Sequence, residues 1–225
     1  SWDWGLFVGS VVPPIIFGVA FGNLLLGVPF YFDDMMRPNY TGGFLQLLNP
    51  FALLSGVVSL LMIVMHGSVW LQIRTLDSLE WRATQVAKAS SVALLIAFAL
   101  AGLWVSFGMD GYVVSSMPAA NSSFTPDMKE VTTQVGGWLL NYQQYPWMIL
   151  APAFAFLGMI GVYLFSHLSR PGMAFISSAV TLTGIILTAG FSMFPFVMPS
   201  SDAVNHSLTM WDATSSLLTL KIMFW

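Results

Sequence analysis

Of the side chains able to ligate a metal or attack a substrate, this sequence offers three histidines, 14 methionines and no cysteine. A thiolate metal site, a cysteine nucleophile and an internal disulfide are therefore excluded. His66 stands within the apolar run "LMIVMHGSVW", whereas His167 and His206 fall in polar connections. A haem held by two axial side chains needs a second His or a Met facing the first at matching depth on another helix. His66 with a methionine is one reading. The competing expectation is a buried histidine donating to a carbonyl of a neighbouring helix, with methionines as ordinary packing material. On residue types alone, no side chain is assigned a catalytic, cofactor-binding or metal-binding role.

Charges offer little more. Each ionised group at a bilayer centre costs about 2.5–3.5 kcal/mol on insertion scales and defaults to a functional role. Here Asp3, Lys88 and Asp110 lie near span ends, and Lys221 sits in a last, incomplete apolar run. No proton wire or voltage sensor can be built from them. Asp212, in "LTMWDATSS", precedes that run together with Thr214 and Ser215, where side-chain oxygens cap a new helix. A site at Asp212 is the alternative. Pro13-Pro14, Asn23, His66 and Pro195 are the features that would serve a transporter, as broken spans with midplane polar groups. A packing kink is the simpler account of Pro13-Pro14, with its freed carbonyl satisfied by a neighbouring helix, Ser10 or a water.

The elements that must position these residues follow from composition. The chain is 56% apolar and 8% charged, with a mean hydropathy of +0.77, which predicts an all-α integral membrane bundle in a single region over residues 1–225. Lys and Arg number 7 against 10 acids, so no basic surface for nucleic acid exists. At ~1.5 Å per residue a span needs about 20 apolar residues. Five complete candidates run over 5–28, 47–71, 86–107, 146–165 and 173–197, with a sixth starting near Thr214. Both ends suggest a segment of a longer protein.

Alternating the loops groups Arg74, Arg82, Lys88 and Arg170 on one side, against Arg37 and Lys129 with most of the acids on the other. The positive-inside rule then places the acidic side outside the cytoplasm. Pro195 should bend or end the fifth span. Between the third and fourth spans, Thr125, Pro126 and Asp127 read as a helix start. Met128, Val131, Val135, Trp138, Leu139 and Tyr142 then recur at helical spacing, predicting a short helix along the outer interface. "GVAFG" at Gly18 and Gly22, Ser55 with Ser59, and Ala151 with Ala155 are small-residue contact faces. Sequons at Asn39, Asn121 and Asn205 are attributed to chance.

Several stretches together resemble subunit II of the bacterial cytochrome bd-type quinol oxidases. These are "WDWGLFVGSVVPPIIFGVAFGNLLLGVPF", "FLQLLNPFALLSGVVSL", "FALAGLWVSFGMDGYVV", and "ILTAGFSMFPFVMPSS" with "SLTMWDATSS". The likeness covers almost the whole chain in order. It implies a multi-pass subunit of the inner (plasma) membrane, paired with subunit I, in a complex that oxidises quinol, reduces oxygen to water and contributes to the proton-motive force. It also implies haems b558, b595 and d ligated by subunit I, and a subunit II that can hold a structural quinone. The early helices of the family pattern, with acidic residues proposed to feed protons, have no counterpart here and are not carried over. A secondary transporter is the main alternative. A self-sufficient haem or quinone protein, resting on His66 and the aromatic content, is the third.

Overall fold

The computed structural model describes residues 2–116, 128–213, 215 and 217–224. Five helices are long and apolar enough to cross a membrane. They are α1 (Trp2–Leu26), α2 (Pro50–Arg74), α3 (Asp77–Phe107), α5 (Leu150–His167, entered through a 3-10 turn from Pro146) and α6 (Pro171–Met193). At the end where α1, α3 and α6 finish, the chain turns back through three antiparallel hairpins. These pair β1 (Phe30–Phe32) with β2 (Pro38–Tyr40), β3 (Asp110–Ser116) with β4 (Glu130–Val135), and β5 (Phe196–Met198) with β6 (Leu208–Thr209). Short helices α4 (Leu140–Gln144) and α7 (Met210–Ala213) lie at the same end, and α8 (Leu217–Phe224) follows. The architecture is an all-α membrane bundle capped by hairpins.

Local chemistry explains the helix limits. Asn49 caps α2 by accepting from the Ala52 amide at 2.8 Å, with Pro50 in the first position where a missing N–H costs nothing. Asp77 and Glu80 oppose the positive end of α3. The helix α3 starts nine residues before the hydropathy-based expectation, and Lys88 lies in its fourth turn rather than near an end. At ~1.5 Å per residue its 31 residues span roughly 46 Å, more than the ~30 Å hydrocarbon layer, so the polar first turns emerge from the membrane or tilt along it. Pro195 ends α6 as expected, but earlier than residue 197, because the last helical residue is Met193.

The helix predicted over 125–142 gives way to a strand in its middle, and helical turns return only from Gly137. Thr125, Pro126 and Asp127 lie outside the described residues, and Glu130–Val135 is a strand. Val131, Thr132, Thr133 and Val135 are β-branched, and Asp110–Ser116 supplies a partner strand. Val131 turns inward while both neighbours are exposed. Gly136, at φ +70°, closes the strand in a left-handed turn that a side chain rarely adopts.

Close backbone approach holds the bundle together. A Cβ on Gly18 would strike the Ser55 carbonyl and come within 2.6 Å of Gly56 Cα, while one on Gly184 would meet the Ala155 nitrogen at 2.5 Å and the Ala151 oxygen at 2.8 Å. The small-residue faces of the sequence are thus the α1–α2 and α5–α6 contacts. Gly184→Val is expected to force α6 off α5 and lower stability by about 1–3 kcal/mol or more. Gly67→Ala, at a position with nothing within 4 Å, should leave the thermal midpoint in detergent unchanged. Equal midpoints for the two variants would contradict the packing account.

Candidate functional site

Where α1, α2, α3, α5 and α6 diverge toward the hairpin end they leave a cavity of about 880 Å³. Phe21, Phe51, Phe98 and Phe156 line it, and Tyr142 and Ser192 give it one polar edge. The Tyr142 hydroxyl lies 3.0 Å from the Thr188 carbonyl and 3.1 Å from Ser192 Oγ. Burial pushes the Tyr142 phenol up, so it remains a protonated donor. Chemically, the site is an apolar chamber with a hydroxyl edge.

His66 faces α6. Its Nδ1 is 2.8 Å from Ser178 Oγ, and Ser178 in turn donates to the Phe175 carbonyl at 2.7 Å. With the hydroxyl proton so used, Ser178 accepts and the imidazole carries its hydrogen on Nδ1. The partner is therefore a hydroxyl rather than the expected helix carbonyl, because α6 carbonyls are already engaged along the helix and Ser178 bridges the two. Phe175 covers the ring at a centroid distance of 4.8 Å. Ser178 and Phe175 thus occupy the side of the ring that faces α6. Among the described residues, no group of three or more His, Asp or Glu is arranged to hold a metal ion.

The features that suggested a transporter have local roles. Asn23 donates to the Val19 and Leu47 carbonyls, each at 2.8 Å, and accepts from Asn49 at 2.9 Å, joining α1 to the cap of α2. Pro13 and Pro14 lie within a continuous α1 whose N-terminal half is exposed. The Ser10 hydroxyl donates to Leu6 rather than to a carbonyl freed by the prolines. These local roles give the transporter alternative no support. A second buried polar tie, Gln72 Nε2 to Ser166 Oγ at 3.2 Å, links α2 to α5.

The hairpins form one cap. Val28 bonds with Pro199 and Ser201 through its backbone, Phe32 N–H donates to His206 Nδ1 at 3.0 Å, and Val131 N–H donates to Asn205 Oδ1 at 2.9 Å. The indole of Trp138 donates to the Leu25 carbonyl at 3.1 Å. Burial, with a smaller contribution from the Asp110 charge, pushes the Tyr112 phenol up to about 12.

At the edge of this cap, Lys129 Nζ meets Asp212 Oδ2 at 2.9 Å, with both side chains fully buried. Asp212 is not the cap expected of a following helix. It stands in the first turn of α7, where Oδ2 accepts from the Thr209 amide at 2.7 Å and the Thr209 hydroxyl at 2.8 Å. Thr209 is thus held as in a capping box, and β6 is fixed to α7. In the sequence Lys129 is a loop charge far from Asp212, and the β3–β4 hairpin brings the two together.

A family model described as cytochrome bd terminal oxidase subunit II matches residues 1–225. Cytochrome bd-I ubiquinol oxidase subunit 2 of Escherichia coli (strain K12) is 50% identical over 224 residues, covering 100% of this chain and 59% of that protein. The probable cytochrome oxidase subunit 2 of Haemophilus influenzae is 50% identical over 222 residues, covering 99% of this chain and 58% of that protein. Cytochrome bd ubiquinol oxidase subunit 2 of Bacillus subtilis is 27% identical over 226 residues, covering 99% and 56%. The chain spans less than two thirds of the length of these curated relatives. Matched from its first residue to its last, and folded as a multi-pass apolar bundle, the chain belongs to the cytochrome bd terminal oxidase subunit II family.

Proposed function

We propose that the chain is part of the subunit of a respiratory quinol oxidase that ligates no haem, packed in the bacterial inner membrane against subunit I. The complex oxidises quinol, reduces oxygen to water and contributes to the proton-motive force. The haems b558, b595 and d belong to subunit I in this reading. The observation that supports it is the match of residues 1–225 to the subunit II family, in a chain whose long helices hold His66 within α2 and His167 only at the last residue of α5. The role left to this chain is physical. Its helices exclude water and ions from one flank of the partner, keep the local dielectric low and let apolar oxygen diffuse.

The chamber lined by Phe21, Phe51, Phe98 and Phe156 suits a structural quinone, with Tyr142 and Ser192 within reach of a carbonyl oxygen. Such a molecule would supply a rigid apolar filling there. The hairpin end faces outside the cytoplasm. In support, Arg74, Arg82 and Arg170 gather at the opposite end, at the last turn of α2, the start of α3 and the start of α6.

The test is to purify the full-length protein in its assembled complex with His66→Leu. The expected result is haem content equal to wild type in reduced-minus-oxidised spectra, with quinol-dependent oxygen uptake retained. Loss of one haem signal in an intact assembly overturns the assignment of every ligand to the partner.

A further inference from the structure

A stripe of side chains descends along the groove between α2 and α6. The Arg74 guanidinium lies 4.6 Å from the centre of the Trp70 ring. Trp70 meets Phe175 at 5.6 Å, Phe175 covers His66 at 4.8 Å, and His66 is tied to Ser178. His66, Trp70 and Arg74 are spaced four apart, so they occupy one face of α2. Trp70 is 43% exposed, and no described part of the chain covers it fully.

The charge at the head of this stripe is uncompensated. Among the described residues the ion pairs are Asp33–Arg37 and Lys129–Asp212, both at the hairpin end. Asp77 and Glu80 are near Arg74 in sequence, yet neither pairs with it. Arg170 stands at the N-cap of α6 with no side-chain cap bond, and Pro171 follows. Because Phe175 meets Trp70, the first turn of α6 lies level with Arg74. A Cβ added to Gly172 in that turn would find nothing within 4 Å, so the space is open. A guanidinium held over a ring keeps its planar fork of N–H donors, which suits a bidentate contact with a phosphate. The free amides of a helix start favour the same negative charge.

From this geometry we infer that the α2–α6 groove seats an anionic phospholipid, its phosphodiester between Arg74 and the Arg170 turn and its acyl chains over Trp70 and Phe175. Aromatic rings at the depth where headgroup gives way to hydrocarbon suit that occupant, and basic groups between helices at a membrane face are the expected recognition chemistry. A partner polypeptide on the same face would have to supply acidic groups at the headgroup level.

The test uses the full-length protein in its complex, delipidated in detergent and titrated with phosphatidylglycerol or with phosphatidylcholine of the same chains, with bound lipid counted by native mass spectrometry. Arg74→Gln and Arg170→Gln should each weaken phosphatidylglycerol binding about fivefold, Arg74→Lys should weaken it less, and phosphatidylcholine binding should not change. Arg82→Gln removes the same charge elsewhere on that end and should have no effect. Equal binding of the two lipids by the wild-type protein overturns the site, as does an Arg82→Gln loss matching that of Arg74→Gln. So does a photo-crosslinking residue at position 70 that captures polypeptide instead of lipid. If the glutamine variants fail to assemble, the wild-type lipid comparison and the crosslink still decide.

Discussion

Asp212→Leu destabilises the hairpin cap by about 3–5 kcal/mol, because it leaves the Lys129 ammonium buried without its counter-charge. Both side chains of the pair are fully buried, so neither charge can recover water without opening the cap. Asp212 Oδ2 gathers three donors, from Lys129 and twice from Thr209, whereas Oδ1 has no hydrogen-bond partner among the described residues. The pair is therefore costly to desolvate and incompletely repaid, which is the situation in which an apolar replacement of both members is tolerated. Lys129→Met is expected to be comparably harmful to Asp212→Leu, and the double variant is expected to recover most of the loss. Thermal unfolding of the detergent-solubilised protein measures all three. Strictly additive losses in the double variant would contradict the coupling of the two charges.

Trp138→Ala is expected to cost about 3–5 kcal/mol, the range for deleting a buried aromatic side chain. Trp138 is 1% exposed, and its ring meets Tyr112 at 5.6 Å and Phe196 at 5.9 Å. It thereby joins two hairpins to the end of α1, whose Leu25 carbonyl takes the indole hydrogen. Trp138→Phe keeps most of the apolar contact but strands that carbonyl, and should cost about 1–3 kcal/mol. Hydrogen exchange localises the effect: β3 and β4 amides should lose protection while those in the middle of α5 and α6 keep theirs. Uniform loss across the bundle would show that the cap is not a separate cooperative unit.

The transmembrane helices were legible in the sequence because the bilayer imposes a length and a polarity that hydropathy reads directly. The signal failed where that constraint ends. The first turns of α3, "DSLEWRATQVAK", are helical without being apolar, so no hydropathy window finds them. The hairpin cap was illegible for a different reason. From Met128 to Tyr142 the apolar residues follow a helical period, while the strand signal in "EVTTQV" is short and depends on pairing with Asp110–Ser116. The Lys129–Asp212 contact inherits that difficulty, since it exists only after the hairpin forms. The chamber is assembled from the five long helices and Tyr142 of α4, through aromatic and aliphatic residues of the kind that pack any bundle, and no local pattern marks it. Gly18, Gly22, Ala151 and Ala155 were read correctly because small residues at four-residue spacing have one main use in lipid, the close approach of backbones.

A family of terminal oxidases is represented here by a chain with few ionisable groups between its membrane faces. On our reading the redox groups sit on a partner, and this chain controls what surrounds them. The direct measurement is haem quantification, with oxygen uptake, on the full-length protein produced and purified in the absence of subunit I. The account predicts folded protein with no stoichiometric haem and no quinol-dependent oxygen consumption, both of which appear when the two subunits are produced together. Stoichiometric haem on the lone subunit, accompanied by oxygen consumption, would contradict it.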